Sequence, residues 1–328
     1  MYPHSLLNAD AQGRARPRHL LSLEEIGQAD LDWIVRRGVM HATAAPGPTL
    51  HGLVVGSLFA ATSTRTRTAF TAGALRLGAH IVAYGPDDLQ LNTGETYTDT
   101  GIVLGSMLDA LVVRTPNDDE GMRALASGGG MAVINAMSAS QHPTQALSDL
   151  SCLYRRLRRV EGLRVLYLGE GNNTATALSV ALALAGAHLE LRTPAEYGMP
   201  ANTCTAAAEV AWQKGGSVVQ RHDVDALPDE VDVVYTTRWE TTGTQKTDPN
   251  WRAQFSPFRV SGPLFDRYPN AVFMHDLPAH RGQEVDKVVI DGPRSIVFDQ
   301  AAMKMSSAMA VLEWCLLEQY ARESLRTV

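Results

Sequence analysis

Cysteine is scarce: Cys152, Cys204 and Cys315 are the three that the chain contains. They are odd in number and widely spaced, with no pair at metal-ligand or redox spacing, which excludes a disulfide scaffold and suits reduced thiols in a cytoplasmic protein. Basic residues are also in deficit, 29 Lys and Arg against 35 Asp and Glu, for a formal net charge of -6. That sign is opposite to the broad basic surface that phosphate-backbone binding requires, so nucleic acid is not an expected partner. The first 20 residues are polar, carry Arg14, Arg16 and Arg18 with two prolines, and lack the apolar core of a signal peptide, so export is not expected. The longest apolar helical run, about 177–187, falls far short of the ~20 residues that cross a bilayer. No membrane association is therefore expected, and no internal repeat or low-complexity tract is present.

The remainder is ordinary globular sequence. With 45% hydrophobic and 20% charged residues over 328 positions, the chain has room for two domains that each bury a core. Short apolar runs alternate with amphipathic segments from about residue 50, the pattern of parallel strands joined by covering helices. The expected fold is α/β, with two doubly wound parallel sheets. Strands are expected over 53–59, 80–84, 110–114 and 131–135, then over 164–169, 188–192, 217–221, 231–236 and 271–275. Helices are expected to begin near Thr64, Glu95 and Asp118 and just after Pro143, and 20–42 reads as an opening helical region capped by Ser22. The basic stretch 157–162, ending in Gly162, is the natural crossing between domains. This divides the chain into residues 1–150 and 151–328, with a final helix at about 300–320 packing back on the first domain.

Three clusters carry chemistry. Ser63, Thr64, Arg65, Thr66, Arg67 and Thr68 follow the first strand and open a helix. Hydroxyls, guanidiniums and orphan backbone N–H groups at a helix start make an anion site that suits phosphate. Arg114 ends the strand Leu111-Val112-Val113, at the edge where open parallel sheets bind ligands. His142, Pro143, Thr144 and Gln145 open the next helix at that same edge. Taken singly, these residues also suit a capped helix, a surface arginine and a structural histidine. Converging on one crevice, they could polarise a carbonyl beside a phosphate.

The motifs STRTR at 63–67, VRT at 113–115, HPTQ at 142–145, GEGNN at 169–173, VVYTTRW at 233–239 and HDLPAHRGQEV at 275–285 are in the order found in one family. In these segments, which span about residues 50–315, the chain resembles the aspartate and ornithine carbamoyltransferases, and the LPAHRG element points to the ornithine-like branch. The resemblance implies transfer of a carbamoyl group from carbamoyl phosphate to an amine, with no metal and no organic cofactor. It implies that Ser63, Thr64, Arg65 and Thr66 hold the phosphate and that Arg114, His142 and Gln145 contact the carbamoyl group. Lys304 stands where an arginine usually touches carbamoyl phosphate, keeping the charge and losing the bidentate fork. Gln90 matches a glutamine lent to the neighbouring subunit, which implies a homotrimer or a multiple of trimers.

On the acceptor side the resemblance assigns Asn172, Asn173, Thr237, Arg238, Thr242, Asp276 and Leu277. Here the chain departs from the ornithine-type pattern. Thr237 replaces an Asp that would pair with an α-ammonium, Glu240-Thr241-Thr242-Gly243 surrounds the position of a Ser-Met-Gly loop, and Asp276 replaces the Cys of an HCLP motif. An amino-acid-like acceptor other than plain ornithine is the expectation. Asn172 and Asn173 could instead cap a helix, and Asp276 could instead pair with Arg281 or His280. Two other readings stay open: a dinucleotide enzyme, weakened because the 169–173 turn lacks a third glycine, and a non-catalytic binder of carbamoyl phosphate.

Overall fold

The computed structural model describes residues 17–240 and 245–317. Ahead of the first sheet, Ser22 caps a single 3-10 turn, Leu23–Glu25, its hydroxyl accepting from the Glu24 N–H at 3.1 Å. Helix α1 (Gln28–Thr43) begins separately. The expected helical region from residue 20 is thus corrected. Gly27 is extended (φ -85°, ψ 164°) and breaks the helix, while Leu20 pairs in parallel with Ile134 at a sheet edge.

The first sheet is built from β1 (Val54–Phe59), α2 (Arg65–Arg76), β2 (His80–Tyr84), α3 (Tyr97–Gly105), β3 (Ala110–Arg114), α4 (Glu120–Ser127) and β4 (Ala132–Met137). Its order is β2-β1-β3-β4, parallel throughout. Every residue of β3 and β4 is buried, as expected of parallel strands covered on both faces. Helix α5 (Pro143–Leu157) leads away, with Pro143 in its first turn, where a missing N–H costs nothing.

The second sheet comprises β5 (Arg164–Leu168), α6 (Asn173–Leu184), β6 (His188–Arg192), α7 (Ala201–Gln213), β7 (Ser217–Arg221), β8 (Val233–Thr236), the short helices α8 (Trp251–Phe255) and α9 (Gly262–Asp266), and β9 (Val272–His275). Its order is β7-β6-β5-β8-β9, again all parallel. After α10 (Lys287–Ile290), α11 (Val297–Leu316) returns to pack on α1, α2 and α5 of the first half. Residues 318–320 of the expected final helix lie outside the described residues.

Glu313 fastens that return. Fully buried, its carboxylate accepts from Arg37 at 2.6 and 2.9 Å and from Thr49 at 2.7 Å, and it meets His41 Nε2 at 2.8 Å. In both sheets the strand order reverses beside the first strand, between β1 and β3 and between β5 and β8. Crevices at such reversals, outside the carboxyl ends of the strands, are where open parallel sheets take ligands. No helix among the described residues is long and apolar enough to cross a membrane.

Candidate active site

The two crevices face one cavity of about 560 Å³. From the first half, Ser63, Thr64, Arg65 and Thr66 line it at the β1–α2 turn, Arg114 at the end of β3, and His142 and Gln145 at the start of α5. From the second half come Asn172 and Asn173 at the β5–α6 turn, Thr237 and Arg238 after β8, and Asp276 and Leu277 after β9. Lys304 of α11 completes the wall. Gln90 is not on it: this residue is exposed on the 3-10 turn Gln90–Thr93, its side chain accepting from Thr93 at 3.1 Å. Thr242 lies outside the described residues. Thr62, Met137 and Thr174 also line the cavity and were not expected.

The donor-side wall is cationic and short of counter-charge. Arg65 donates from Nη2 to the Leu277 carbonyl at 2.6 Å, while its Nε is buried without a partner, as is the Nε of Arg114. Burial, reinforced by Arg65 and opposed by Asp276, pushes Arg114 down to about 10, and burial also lowers Arg65. Guanidiniums held in this way become more comfortable when an anion arrives. Burial holds His142 well below its ordinary range, and Lys304, Arg114 and Arg65 add to the effect. A neutral imidazole therefore keeps one ring N–H to offer a carbonyl oxygen. Burial lowers Lys304 too, and its ammonium donates to Gln145 Oε1.

Threonines define the opposite wall. Asp276 accepts from Thr237 Oγ1 at 2.8 Å and from Thr174 Oγ1 at 3.0 Å. Of the alternative partners of Asp276, Arg281 binds Asp291 at 2.6 Å instead, while the backbone N–H of His280 donates to Glu284. His275 Nδ1 lies 3.5 Å from Asp276, yet that nitrogen accepts from the Leu277 N–H at 2.8 Å. The ring proton is thus assigned to Nε2, toward Glu284 at 3.3 Å, and no ion pair with Asp276 forms. The Leu277–Pro278 bond is cis, and the Leu277 carbonyl, already accepting from Arg65, keeps a second lone pair.

Asn172 caps α6, its Oδ1 accepting from the N–H groups of Thr174 and Ala175 at 3.0 and 3.1 Å. Asn173 donates to the Ser138 carbonyl at 2.7 Å and so bridges the two halves. The turn that carries them needs Gly171, where an added Cβ would lie 2.1 Å from the Met199 nitrogen. Thr174 follows this turn by one residue, and its partnership with Thr237 across Asp276 requires knowing that β5, β8 and β9 are neighbours.

Residues 18–155 match the family model described as the aspartate/ornithine carbamoyltransferase carbamoyl-P binding domain, and residues 161–315 match its Asp/Orn binding domain. The chain belongs to the aspartate/ornithine carbamoyltransferase family. It is a carbamoyltransferase, 35% identical over 300 residues to the ornithine carbamoyltransferase of Thermococcus kodakarensis, covering 90% of this chain and 95% of that protein. Among solved structures, the ornithine carbamoyltransferase of Pyrococcus furiosus superposes with a TM-score of 0.86 at 34% identity, covering 92% of this chain and 97% of that one. That of Thermus thermophilus gives 0.80 at 30% identity, covering 92% and 99%. For this carbamoyltransferase the fold, two parallel sheets with a returning helix, is that of its relatives.

Proposed function

We propose that this carbamoyltransferase passes the carbamoyl group of carbamoyl phosphate to the amine of an amino-acid-like acceptor other than plain ornithine. The phosphate sits against Ser63, Thr64, Arg65 and Thr66, with Lys304 behind it, and the carbamoyl group sits among Arg114, His142 and Gln145. Attack of a neutral amine on the carbonyl carbon builds charge on the carbonyl oxygen, which Thr66, Arg114 and His142 stabilise as donors. The tetrahedral intermediate then loses the C–O bond to phosphate, and the departing phosphate takes the amine proton. Residues 1–150 serve the donor and 151–328 the acceptor, with 300–320 returning to the first. Gln90 completes the phosphate site of a neighbouring subunit in a cytoplasmic homotrimer or multiple of trimers.

One observation supports the altered acceptor above all others: the only carboxylate bonded to both threonine hydroxyls at the acceptor wall, among the described residues, is Asp276, held at 2.8 and 3.0 Å. The amine-facing charge has thus moved from the position of Thr237 to that of Asp276, and Asn172, Asn173 and Arg238 line the same wall, where the acceptor's carboxylate would lie. Moving a charge by one strand changes which diamino acid leaves no polar group unpaired, the strongest basis of discrimination. Steady-state kinetics over a panel of diamino acids and their N-acylated forms tests this. Ornithine is expected to be a poor acceptor, and turnover of ornithine above all others would overturn the proposal. That outcome would favour ornithine transfer proper, the activity in the names of the relatives. Phosphate release from carbamoyl phosphate that does not rise when an amine is added would mark a binder instead.

A further inference from the structure

Gln145 has two ends, and the protein fixes both. A primary amide accepts through its oxygen and donates through its nitrogen, so a half-turn of the group reverses what it offers while preserving its shape. Here Nε2 donates to Asp149 Oδ1 at 2.7 Å, and Oε1 accepts from the Lys304 ammonium. An ionised carboxylate cannot donate and an ammonium cannot accept. The reversed amide would therefore oppose like groups at both ends.

Asp149 is itself held from three elements. Fully buried on α5, it also accepts from Gln300 Nε2 at 2.8 Å and, through Oδ2, from the Tyr235 hydroxyl at 2.9 Å. Tyr235 stands on β8, two residues before Thr237. Gln300, on α11, accepts at Oε1 from the His275 N–H at 2.9 Å, one residue before Asp276. A single carboxylate thus joins the amide at the donor wall to the ends of both strands that bear the acceptor wall. Burial pushes this carboxyl up to about 7 against the opposition of Gln300, Lys304, Gln145 and Tyr235, so the ionised form that fixes the amide is the one present above that value. Carbamoyl transfer itself gives Asp149 no direct part.

We propose that Asp149 is a positioning residue that, with Lys304, keeps the Gln145 carbonyl oxygen on the donor side of the cavity, where it accepts from the carbamoyl NH2 and rejects donors that carry a methyl there. The proposal rests on the carbamoyl-phosphate reading. It is tested on the full chain with two stable phosphonates that differ only at that position, phosphonoacetamide with NH2 and acetonylphosphonate with CH3, plus inorganic phosphate as control. Calorimetry gives the three Kd values without an acceptor.

The native enzyme is expected to prefer the amide by about tenfold, the scale of one hydrogen bond. In Asp149→Asn one acceptor becomes a donor, so the Gln145 amide loses one of its two fixed ends while Lys304 still favours the native orientation, and the preference is expected to fall about threefold or more while phosphate binding stays within about twofold. Tyr235→Phe, which removes one support and keeps the charge and the ring, is expected to move the preference the same way by less. An unchanged preference in Asp149→Asn overturns the proposal, as does phosphate binding that weakens in step with amide binding. Should Asp149→Asn fail to fold, Tyr235→Phe decides, and an unchanged preference there overturns it. A native enzyme that binds neither phosphonate nor phosphate would instead sink the donor reading on which this rests.

Discussion

Replacing Asp276 by Asn removes a charge with almost no change of shape, and the surroundings fix both the sign and the size of the effect. The carboxylate accepts from Thr237 and Thr174, and its negative charge favours the charged forms of Arg65 and Arg114 and, after Asp149, that of Lys304. An Asn keeps the hydroxyl contacts, because one threonine can donate to its oxygen and the other can rotate to accept from its nitrogen. On the proposed function, what disappears is a charged acceptor for the incoming amine, and a hydrogen bond to a charged group is worth roughly 1.5–3 kcal/mol. At about 1.4 kcal/mol per decade, kcat/KM for the amine is expected to fall roughly 10- to 150-fold. The phosphate side should respond in the opposite direction, since three cations lose a competing anion. Inorganic phosphate is expected to bind Asp276→Asn as tightly as the native protein or more so. The assay varies the amine at saturating carbamoyl phosphate and measures phosphate binding separately by calorimetry. Equal weakening of both, or an unchanged kcat/KM for the amine, would refute the reasoning.

Two further outcomes concern stability. Burial alone would raise the Glu313 carboxyl, but Arg37, His41 and Thr49 outweigh it and hold the group at about 2, below its ordinary 4.5. Its contribution, roughly 3 kcal/mol, is complete above its unfolded value and is lost as pH falls from there toward the folded value. Glu313→Gln should therefore lower stability in urea near neutral pH and flatten its pH dependence across that acid window, and an unflattened profile would contradict this. In Gly171→Ala the new methyl would lie 2.1 Å from the Met199 nitrogen and 2.4 Å from the Gly198 carbonyl carbon, both backbone atoms. A loss of about 1–3 kcal/mol together with weaker acceptor binding is expected, and a native melting temperature with native kinetics would count against it.

Much of the fold was legible because parallel strands covered on both faces read as short apolar runs. The segments 80–84, 110–114, 188–192 and 217–221 fall on β2, β3, β6 and β7 without adjustment. The fourth strand runs on to Met137, past the expected 135, because Met137 pairs with Arg114 after a shift of register, and within it Asn135 pairs with Leu20 through its backbone N–H and with Leu21 through its side chain. The partners of Asn135 lie more than a hundred residues upstream, out of reach of any local pattern. The same distinction divides the site. Arg65, Arg114 and His142 could be placed from strand ends alone, since the carboxyl edge of a parallel sheet is a single place in space, whereas Asp276 was reached through the family resemblance. Thr174 could not, because its role depends on strand order, and the Asp149–Gln300 contact spans 151 residues. Gln90 faces solvent on its own chain, where nothing local marks it out.

The returning helix α11 has a consequence for how the molecule is made. Arg37, His41 and Thr49 wait for a carboxylate at residue 313, and the donor wall waits for an ammonium at residue 304. At ordinary translation speeds those groups leave the ribosome roughly 10–30 s after the first lobe has emerged. The half synthesised first is the half finished last, and a fragment cut at the crossing would leave the Arg37 guanidinium without its carboxylate and the wall around Arg65 and Arg114 without its ammonium.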